Sequence, residues 1–168
     1  IYNQAWADHE DFTPMTEEES HDLMREVKPI MDPELFIFAY VDDKPAGFFI
    51  GLPDANQLLK YAAGSMNLRG MLNVLLHNPF FKLERIYGVI FGVVPDFQNK
   101  GVEAGMAAYM HEIVNNSDKY THIELLWIGD FNKKMLNFVA HIQATHHRTL
   151  ITFSTIVGGR IPFVRCPV

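Results

Sequence analysis

A chain of 168 residues that is 48% hydrophobic has the length and composition of one folded domain with its own core. Its net charge of −6, without any Lys/Arg cluster, argues against a nucleic-acid surface, and no apolar run reaches membrane-spanning length. The single cysteine, Cys166, excludes an internal disulfide and favours a reducing, cytoplasmic setting. Because the first residue is Ile1 rather than Met, we expect a piece of a longer protein.

The first long element is predicted to be a helix that begins with a capping box. The Thr16 side chain can cap the helix, and the side chain of Glu19, three residues later, can accept a hydrogen bond from the Thr16 backbone N–H. Pro29 is expected to disturb the last turn. The apolar face of this helix consists of Leu23, Met24, Val27, Ile30 and Met31.

A β-hairpin is predicted next. The run from Leu35 to Val41 favours a strand, residues 42–45 favour a turn, and Ala46 to Leu52 favour the returning strand. Gly47 and Gly51 indicate positions of close backbone approach or a bulge.

The region after the hairpin predicts a helix from Ser65 to Leu76, ended by Pro79. Its inward-facing residues are expected to be Met66, Leu72, Leu75 and Leu76.

A strand, a turn and a helix are predicted in close succession from Ile86 onward. The apolar run from Ile86 to Val94 ends at Pro95, and a polar turn leads to Gly101, where a helix begins. The N–H groups of such a helix start lack internal partners, so the junction is either a phosphate-binding site or an ordinary strand–helix turn. The apolar face of the helix is expected to be Val102, Met106, Tyr109, Met110, Ile113 and Val114.

The last third predicts a strand, a helix and a strand. The strands run from Thr121 to Ile128 and from Arg148 to Val157, and the helix, capped by Asp130 or Asn132, runs to about Ala144. Glu124 lies within the apolar first strand, so it either points into a cleft or lies at an edge. The alternation of elements predicts a mixed α/β sheet with helices on both faces.

The strand–turn–helix stretch, VVPDFQNKGVEAGM, resembles motif A of the GNAT (Gcn5-related N-acetyltransferase) superfamily, V-x-P-x-(Y/F)-(Q/R)-x-x-G-x-(G/A). Glu103 departs from the pattern, since the family usually has Gly or Ala there. The matching residues are Val93, Pro95, Phe97, Gln98 and Gly101.

A second segment, WIGDFNKKMLNFVAHIQA, is similar to the GNAT pattern N-x-x-A-x-x-L-Y-x-x-x-G-F. Asn132 matches the family Asn and Phe138 occupies the Leu position, whereas Val139 replaces the Tyr that often acts as the general acid and Gln143 replaces the Gly. The resemblance extends from near Leu35 to near Val157. As a whole, the sequence also resembles a bacterial group of larger proteins that carry a C-terminal GNAT domain.

The resemblance implies one GNAT-like domain over residues 1–168, with a mostly antiparallel sheet and a splayed parallel strand pair. It further implies a bacterial N-acyltransferase that takes acetyl-CoA, or another acyl-CoA, and a small amine. Charge and the lack of a spanning run predict no nucleic-acid or membrane partner, and the spacing of His141, His146 and His147 predicts no metal site. The implied cofactor-binding residues are Val93, Val94, Gln98, Asn99, Lys100, Gly101, Val102, Glu103, Ala104, Asn132 and Phe138.

Catalysis by the implied reaction requires a base for the amine and an acid for the leaving thiol. Glu124 is the candidate base, and Val139 cannot serve as the acid because valine carries no proton to donate. The alternative is a non-catalytic domain that binds acyl-CoA or mediates interactions within a larger protein.

Overall fold

The computed structural model describes residues 1–7, 12–62, 64, 67–77 and 82–151. Within these ranges a mixed sheet has the strand order β1–β2–β3–β4. The first two pairings are antiparallel, and β3 pairs with β4 in parallel. The strands are β1 (Phe36–Val41), β2 (Lys44–Pro53), β3 (Arg85–Val93) and β4 (His122–Leu125).

Helices lie between and around these strands. A 3₁₀ turn precedes β1, another precedes α4, and a third follows β3. The helices are α1 (Tyr2–Trp6), α2 (Glu17–Val27), α3 (Asn56–Leu59), α4 (Leu68–His77), α5 (Val102–Asn115) and α6 (Lys133–His141), and the 3₁₀ turns are Pro33–Leu35, Lys60–Ala62 and Pro95–Phe97.

The capping box predicted for α2 is confirmed. The Glu19 N–H donates to Thr16 Oγ1 at 3.2 Å, and the Thr16 N–H donates to Glu19 Oε2 at 2.8 Å. The bond from the Thr16 backbone lowers the pKa of the Glu19 carboxyl. The helix ends at Val27, ahead of Pro29 and earlier than predicted, so Ile30 and Met31 of the expected apolar face lie beyond it.

The hairpin turn between β1 and β2 consists of Asp42 and Asp43, with φ of 49° and 60°. Two consecutive left-handed residues give a turn whose twist matches that of the strands. The predicted roles of the glycines are also confirmed, because a Cβ on Gly47 would lie 2.9 Å from Met106 Cε and the register shifts between Ile50 and Gly51.

The main core lies between the sheet and α5. Helix α5 supplies the buried side chains of Val102, Met106 and Met110, whereas Tyr109, expected on the same face, is 53% exposed. Tyr109 points towards the open side of β1, where no described strand lies beyond it. The core cluster comprises Leu35, Ile37, Ala46, Phe49, Ile86, Val93, Val102, Met106, Met110 and Tyr120.

Helix α1 contacts the opposite face of the sheet. The Tyr2 and Phe48 rings have centroids 6.3 Å apart, and a Cβ on Gly92 would lie 3.0 Å from both Ala5 Cβ and Trp6 Nε1. Helices therefore lie on both faces of a mixed α/β sheet, as the sequence predicted.

Strand β4 is shorter than the predicted Thr121–Ile128. Its last pair with β3 is Leu125 with Gly88, after which the Leu126 N–H still donates to the Gly88 carbonyl at 3.2 Å. Val89, next in β3, is the extra residue of a bulge opposite Ile50 and Gly51, and a bulge bends and twists its strand. The parallel pair consequently separates beyond Gly88.

Helix α4 presents a different face from the one predicted. Leu72, Leu75 and Leu76 were expected to point inward, but they are 53%, 47% and 68% exposed. The buried residues are Gly70 and Val74, because this helix packs through its small-residue side. Met66 lies outside the described residues.

The chain divides into two compact units, Ile1–Leu126 and Trp127–Val168. In the second unit α6 ends at His141, earlier than the predicted Ala144. Residues 148–151 are not a strand, and the remainder of the predicted strand up to Val157 lies outside the described residues. The single domain remains a prediction.

Candidate acyl-CoA site

The junction between β3 and α5 is shaped by two left-handed residues. Gly101, the N-cap of α5, has a φ of 87°, and Asn99 has a φ of 59°. Glycine adopts this conformation without steric cost, and asparagine tolerates it better than most residues. The Gln98 side chain closes the turn by donating from Nε2 to the Val93 carbonyl at 3.1 Å.

The first turn of α5 has N–H groups that the helix itself does not use. The Gly105 N–H donates to the Gly101 carbonyl at 2.9 Å, so the N–H groups of Val102, Glu103 and Ala104 precede the first bond of the helix. A Cβ built on Gly101 would meet no atom within 4 Å. Together with the exposed Lys100, these groups form what we call the cradle, residues 99–104. The N-terminal dipole of a helix favours an anion at such a place.

Glu103 brings a carboxylate into the cradle. Its Oε1 accepts a hydrogen bond from the Asn99 N–H at 3.3 Å. The side chain thus folds back over the turn, where its negative charge would oppose a phosphate.

Val93 and Val94, expected to pair with the cofactor, already have partners. The Val94 N–H donates to the Ala46 carbonyl at 2.9 Å, and the Val94 carbonyl accepts from the Phe97 N–H at 2.8 Å. Each carbonyl still has a second lone pair, so these two residues can offer acceptors, while the N–H of Val94 is committed to β2.

Glu124, the candidate base, is held in an ion pair. It lies opposite Tyr87 in the β3–β4 ladder, one residue before the last pair. Its Oε2 accepts a bond from Arg85 Nη1 at 3.2 Å. Its neighbours Ile123 and Leu125 pack against the core, so Glu124 lies on the other face of the sheet.

Arg85 is fixed in turn by a buried aspartate. Its Nε and Nη2 donate to Asp54 Oδ2 at 2.9 and 2.5 Å, and Asp54 is fully buried. Burial alone would raise the pKa of Asp54, but the bonds from Arg85 and Asn56 lower it below its ordinary 3.8. The bond to Asp54 raises the pKa of Arg85. Only single charged residues at the ends of two apolar strands could have indicated this network before the structure.

A cleft of about 590 Å³ lies between β1 and α5 and shares Lys100, Gly101 and Val102 with the cradle. Its other walls are β1 from Phe36 to Val41 and the α5 residues Gly105, Met106 and Tyr109. No described strand lies beyond β1, so the backbone edge of β1 is part of the lining.

The second unit holds the other predicted site residues on α6. Asn132 caps this helix by accepting a bond from the Met135 N–H at 3.0 Å, and Phe138 and Val139 are half-buried. Gln143, where the family pattern has Gly, has a φ of 58°. It therefore adopts the left-handed conformation that glycine favours after a helix. Contact of Asn132 and Phe138 with a cofactor remains a prediction.

The fold resembles that of known acetyltransferases. An aminoglycoside acetyltransferase from an uncultured soil metagenomic sample, solved in complex with trehalose, superposes with a TM-score of 0.50 over 92% of this chain and 83% of that one, at 10% identity. The α/β fold is thus GNAT-like. No family model matches the sequence.

Two curated bacterial proteins are similar in sequence. Bacterial ceramide synthase of Caulobacter vibrioides is 26% identical over 152 residues, which are 89% of this chain and 40% of that protein. Protein YghO of Escherichia coli strain K12 is 23% identical over 151 residues, 88% of this chain and 39% of that protein. The chain therefore spans about two fifths of the length of these relatives. None of the helices in its described ranges is long and apolar enough to cross a bilayer.

Proposed function

We propose that this chain is an acyl-CoA-dependent N-acyltransferase. The observation that carries the proposal is the cradle, a left-handed glycine followed by free helix N–H groups at the end of a strand that separates from its parallel neighbour. Such a helix start suits a pyrophosphate, and the gap between β3 and β4 suits an extended amide-bearing chain.

The residues of the cradle fit a CoA pyrophosphate, at a cost. The N–H groups of Val102, Glu103 and Ala104 would donate to phosphate oxygens, and Lys100 would supply a positive charge. Glu103 opposes them with its own charge and with its bond to Asn99. Gln98 contributes by fixing the turn, and Val93 and Val94 contribute carbonyl acceptors. Asn132 and Phe138 of α6 are proposed as further contacts.

The reaction joins an amine nitrogen to the acyl carbon and releases the CoA thiol, while the amine loses a proton to a base. We propose Glu124 for that base because it lies where β3 and β4 separate. Its ion pair with Arg85 through Oε2 orients the carboxylate.

Two classes of acceptor are considered, one suggested by the name of a similar protein and one by the sequence. A ceramide is the amide of a fatty acid with a long-chain amino alcohol, so the Caulobacter relative points to a long-chain amine and a long-chain acyl-CoA. The small polar amine expected from the sequence, with acetyl-CoA, is the other class.

A second candidate function is binding of acyl-CoA without transfer. Glu103 in the cradle and Val139 at the position of the family acid favour it. Incubation with acetyl-CoA or palmitoyl-CoA and a panel of polar and long-chain amines, followed by thiol detection, separates the two. Amine-dependent thiol release supports transfer, whereas CoA binding without release from any pair supports the second candidate.

The cradle itself is tested by two substitutions of matched size at Gly101. Asparagine and aspartate both tolerate a φ of 87°, but only aspartate adds a negative charge. We expect Gly101→Asp to weaken CoA binding about tenfold or more and Gly101→Asn to weaken it much less, as measured by calorimetry. Equal affinities for the two variants would contradict the assignment of the cradle.

A further inference from the structure

Helix α4 exposes a continuous apolar face. At 100° per residue, its five large exposed side chains fall within an arc of about 140°. They are Leu68 (84% exposed), Met71 (58%), Leu72 (53%), Leu75 (47%) and Leu76 (68%). Contiguous apolar surface of this kind on a folded domain marks a site of association.

The helix is anchored to the protein by its other sides. Gly70 and Val74 are buried on the face opposite the leucines. The His77 ring stacks on Tyr61 with centroids 5.4 Å apart, and His77 Nδ1 lies 2.8 Å from the Asn73 carbonyl. The helix thus contacts the 3₁₀ turn at Lys60–Ala62 through its other sides, and its apolar face points outward.

The charge around α4 differs in sign from that of the chain. Between Asp54 and Glu84 there is no acidic residue, although the chain carries 20 acidic residues and a net charge of −6. The same segment contains Lys60, Arg69 and Lys82. Arg69 is exposed and lies in α4 itself, beside the apolar arc. The Lys60 ammonium lies 4.8 Å from the centre of the Tyr61 ring, on the anchored side of the helix, and Lys82 pairs with Glu84 at 3.6 Å.

We propose that α4 docks this protein on an anionic lipid surface, with the leucine face entering the boundary of the bilayer and Arg69 meeting the headgroups. A helix of ten residues is about 15 Å long and would lie in the plane of the surface, since spanning a bilayer takes about 20 residues. The expectation of no membrane partner rested on the lack of a spanning run, which an interfacial helix does not need.

Charge favours a lipid surface over a second copy of the chain. Two copies joined through their α4 faces would bring the same cationic residues towards each other without an acidic residue in the segment to pair them. An anionic bilayer offers negative charge beside an apolar interior, which matches both properties of the segment.

The test is sedimentation of the intact 168-residue chain with vesicles of phosphatidylcholine alone or mixed with phosphatidylglycerol. We expect binding to the anionic vesicles that weakens as salt is raised. The double variant Leu72→Gln and Leu75→Gln should bind at least about tenfold more weakly, because two apolar side chains no longer leave water. Arg69→Gln should weaken the preference for phosphatidylglycerol.

Matched controls alter exposed residues elsewhere. Phe38 and Tyr40 are 53% and 63% exposed on β1, and Phe38→Gln with Tyr40→Gln should bind vesicles as the unchanged protein does. Lys28→Gln with Lys44→Gln is the control for charge. Circular dichroism checks that each variant is folded.

Three results would overturn the proposal. They are failure of the unchanged protein to bind anionic vesicles, undiminished binding by the leucine variant, and lipid-free self-association that the leucine variant abolishes. The last result would identify a second copy as the occupant. Neither acyl-CoA nor an amine takes part, so the outcome is independent of the proposed acyltransferase activity.

Discussion

At the scale of single residues, the cradle combines a favourable backbone with an unfavourable side chain. Gly101 and Asn99 give the turn its left-handed geometry, and the start of α5 supplies donors. Glu103 then places a carboxylate on the Asn99 N–H, so the protein provides an internal anion where a phosphate would bind. Cofactor binding must displace or tolerate this carboxylate.

Replacing Glu103 by glutamine tests that competition. Glutamine retains an oxygen for the Asn99 N–H but removes the charge, so we expect CoA to bind about fivefold more tightly in calorimetry. Glu112→Gln, in the last turn of the same helix, should leave the affinity unchanged. Weaker binding by Glu103→Gln would mean that the carboxylate assists the cofactor.

At the scale of elements, the Asp54–Arg85–Glu124 network ties together the end of β2, the start of β3 and the middle of β4. The Asp54 N–H also donates to the Arg85 carbonyl at 2.9 Å. These contacts hold the sheet on one side of the point where β3 and β4 separate, and they orient the proposed base.

Removal of Arg85 should destabilise the fold strongly. Arg85→Ala leaves the Asp54 carboxylate buried without its main partner, and we expect a loss of about 3–5 kcal/mol in the free energy of unfolding in urea at pH 7. Because the folded-state pKa of Asp54 is lowered, this contribution is present above its ordinary pKa and is lost as the pH falls. The difference in unfolding free energy between Arg85→Ala and the unchanged protein should therefore become smaller at acidic pH.

Lys82 provides the control for that experiment. Its ion pair with Glu84 spans 3.6 Å between side chains that are 60% and 52% exposed. We expect Lys82→Ala to change stability by no more than about 0.5 kcal/mol. If Arg85→Ala lost no more unfolding free energy than Lys82→Ala, Arg85 would act only as a surface charge.

At the scale of the molecule, long-range contacts join segments far apart in the chain. Tyr120, just before β4, donates its hydroxyl to Asp32 Oδ2 at 2.7 Å across 88 positions of sequence. Burial and this bond raise the pKa of Tyr120. Burial alone would raise the pKa of Asp32, but the bonds from Tyr120 and the Glu34 N–H, with the charge of Lys119, lower it below 3.8.

Tyr120→Phe should cost about 2 kcal/mol of unfolding free energy at pH 7, the value of a hydrogen bond to a charged group. The contribution of Asp32 is present above its ordinary pKa of 3.8 and is lost as the pH falls through the lower folded value. The contribution of Tyr120 to stability is present below its ordinary pKa of 10.0 and is lost as the pH rises above that value. Urea unfolding at pH 3, 7 and 11 should show the largest deficit at pH 7.

Tyr40→Phe is the matched control, since Tyr40 is 63% exposed. Its unfolding free energy should match that of the unchanged protein at each pH. A deficit for Tyr120→Phe that stayed constant across the three pH values would exclude the bond to Asp32 as its cause.

Local patterns in the sequence determined much of this fold. The capping box of α2, the β1–β2 hairpin and the β3–turn–α5 junction each depend on residues within a few positions of one another, and each formed near its predicted bounds. The left-handed Gly101 belongs to the same group, because only glycine reaches such a φ at no steric cost. The candidate cradle could thus be found without a structure.

Tertiary structure alone decided which side chains meet and which faces remain open. Helical spacing identified an apolar face on α4 but could not tell whether it would be covered, and the leucines proved exposed because the helix packs through Gly70 and Val74. The shortening of β4 followed from a bulge in the neighbouring strand β3. The bond between Arg85 and Asp54 joins residues 31 positions apart in the sequence. The periodicity of a sequence indicates which face of a helix or strand is apolar. Packing between distant segments determines what, if anything, covers that face.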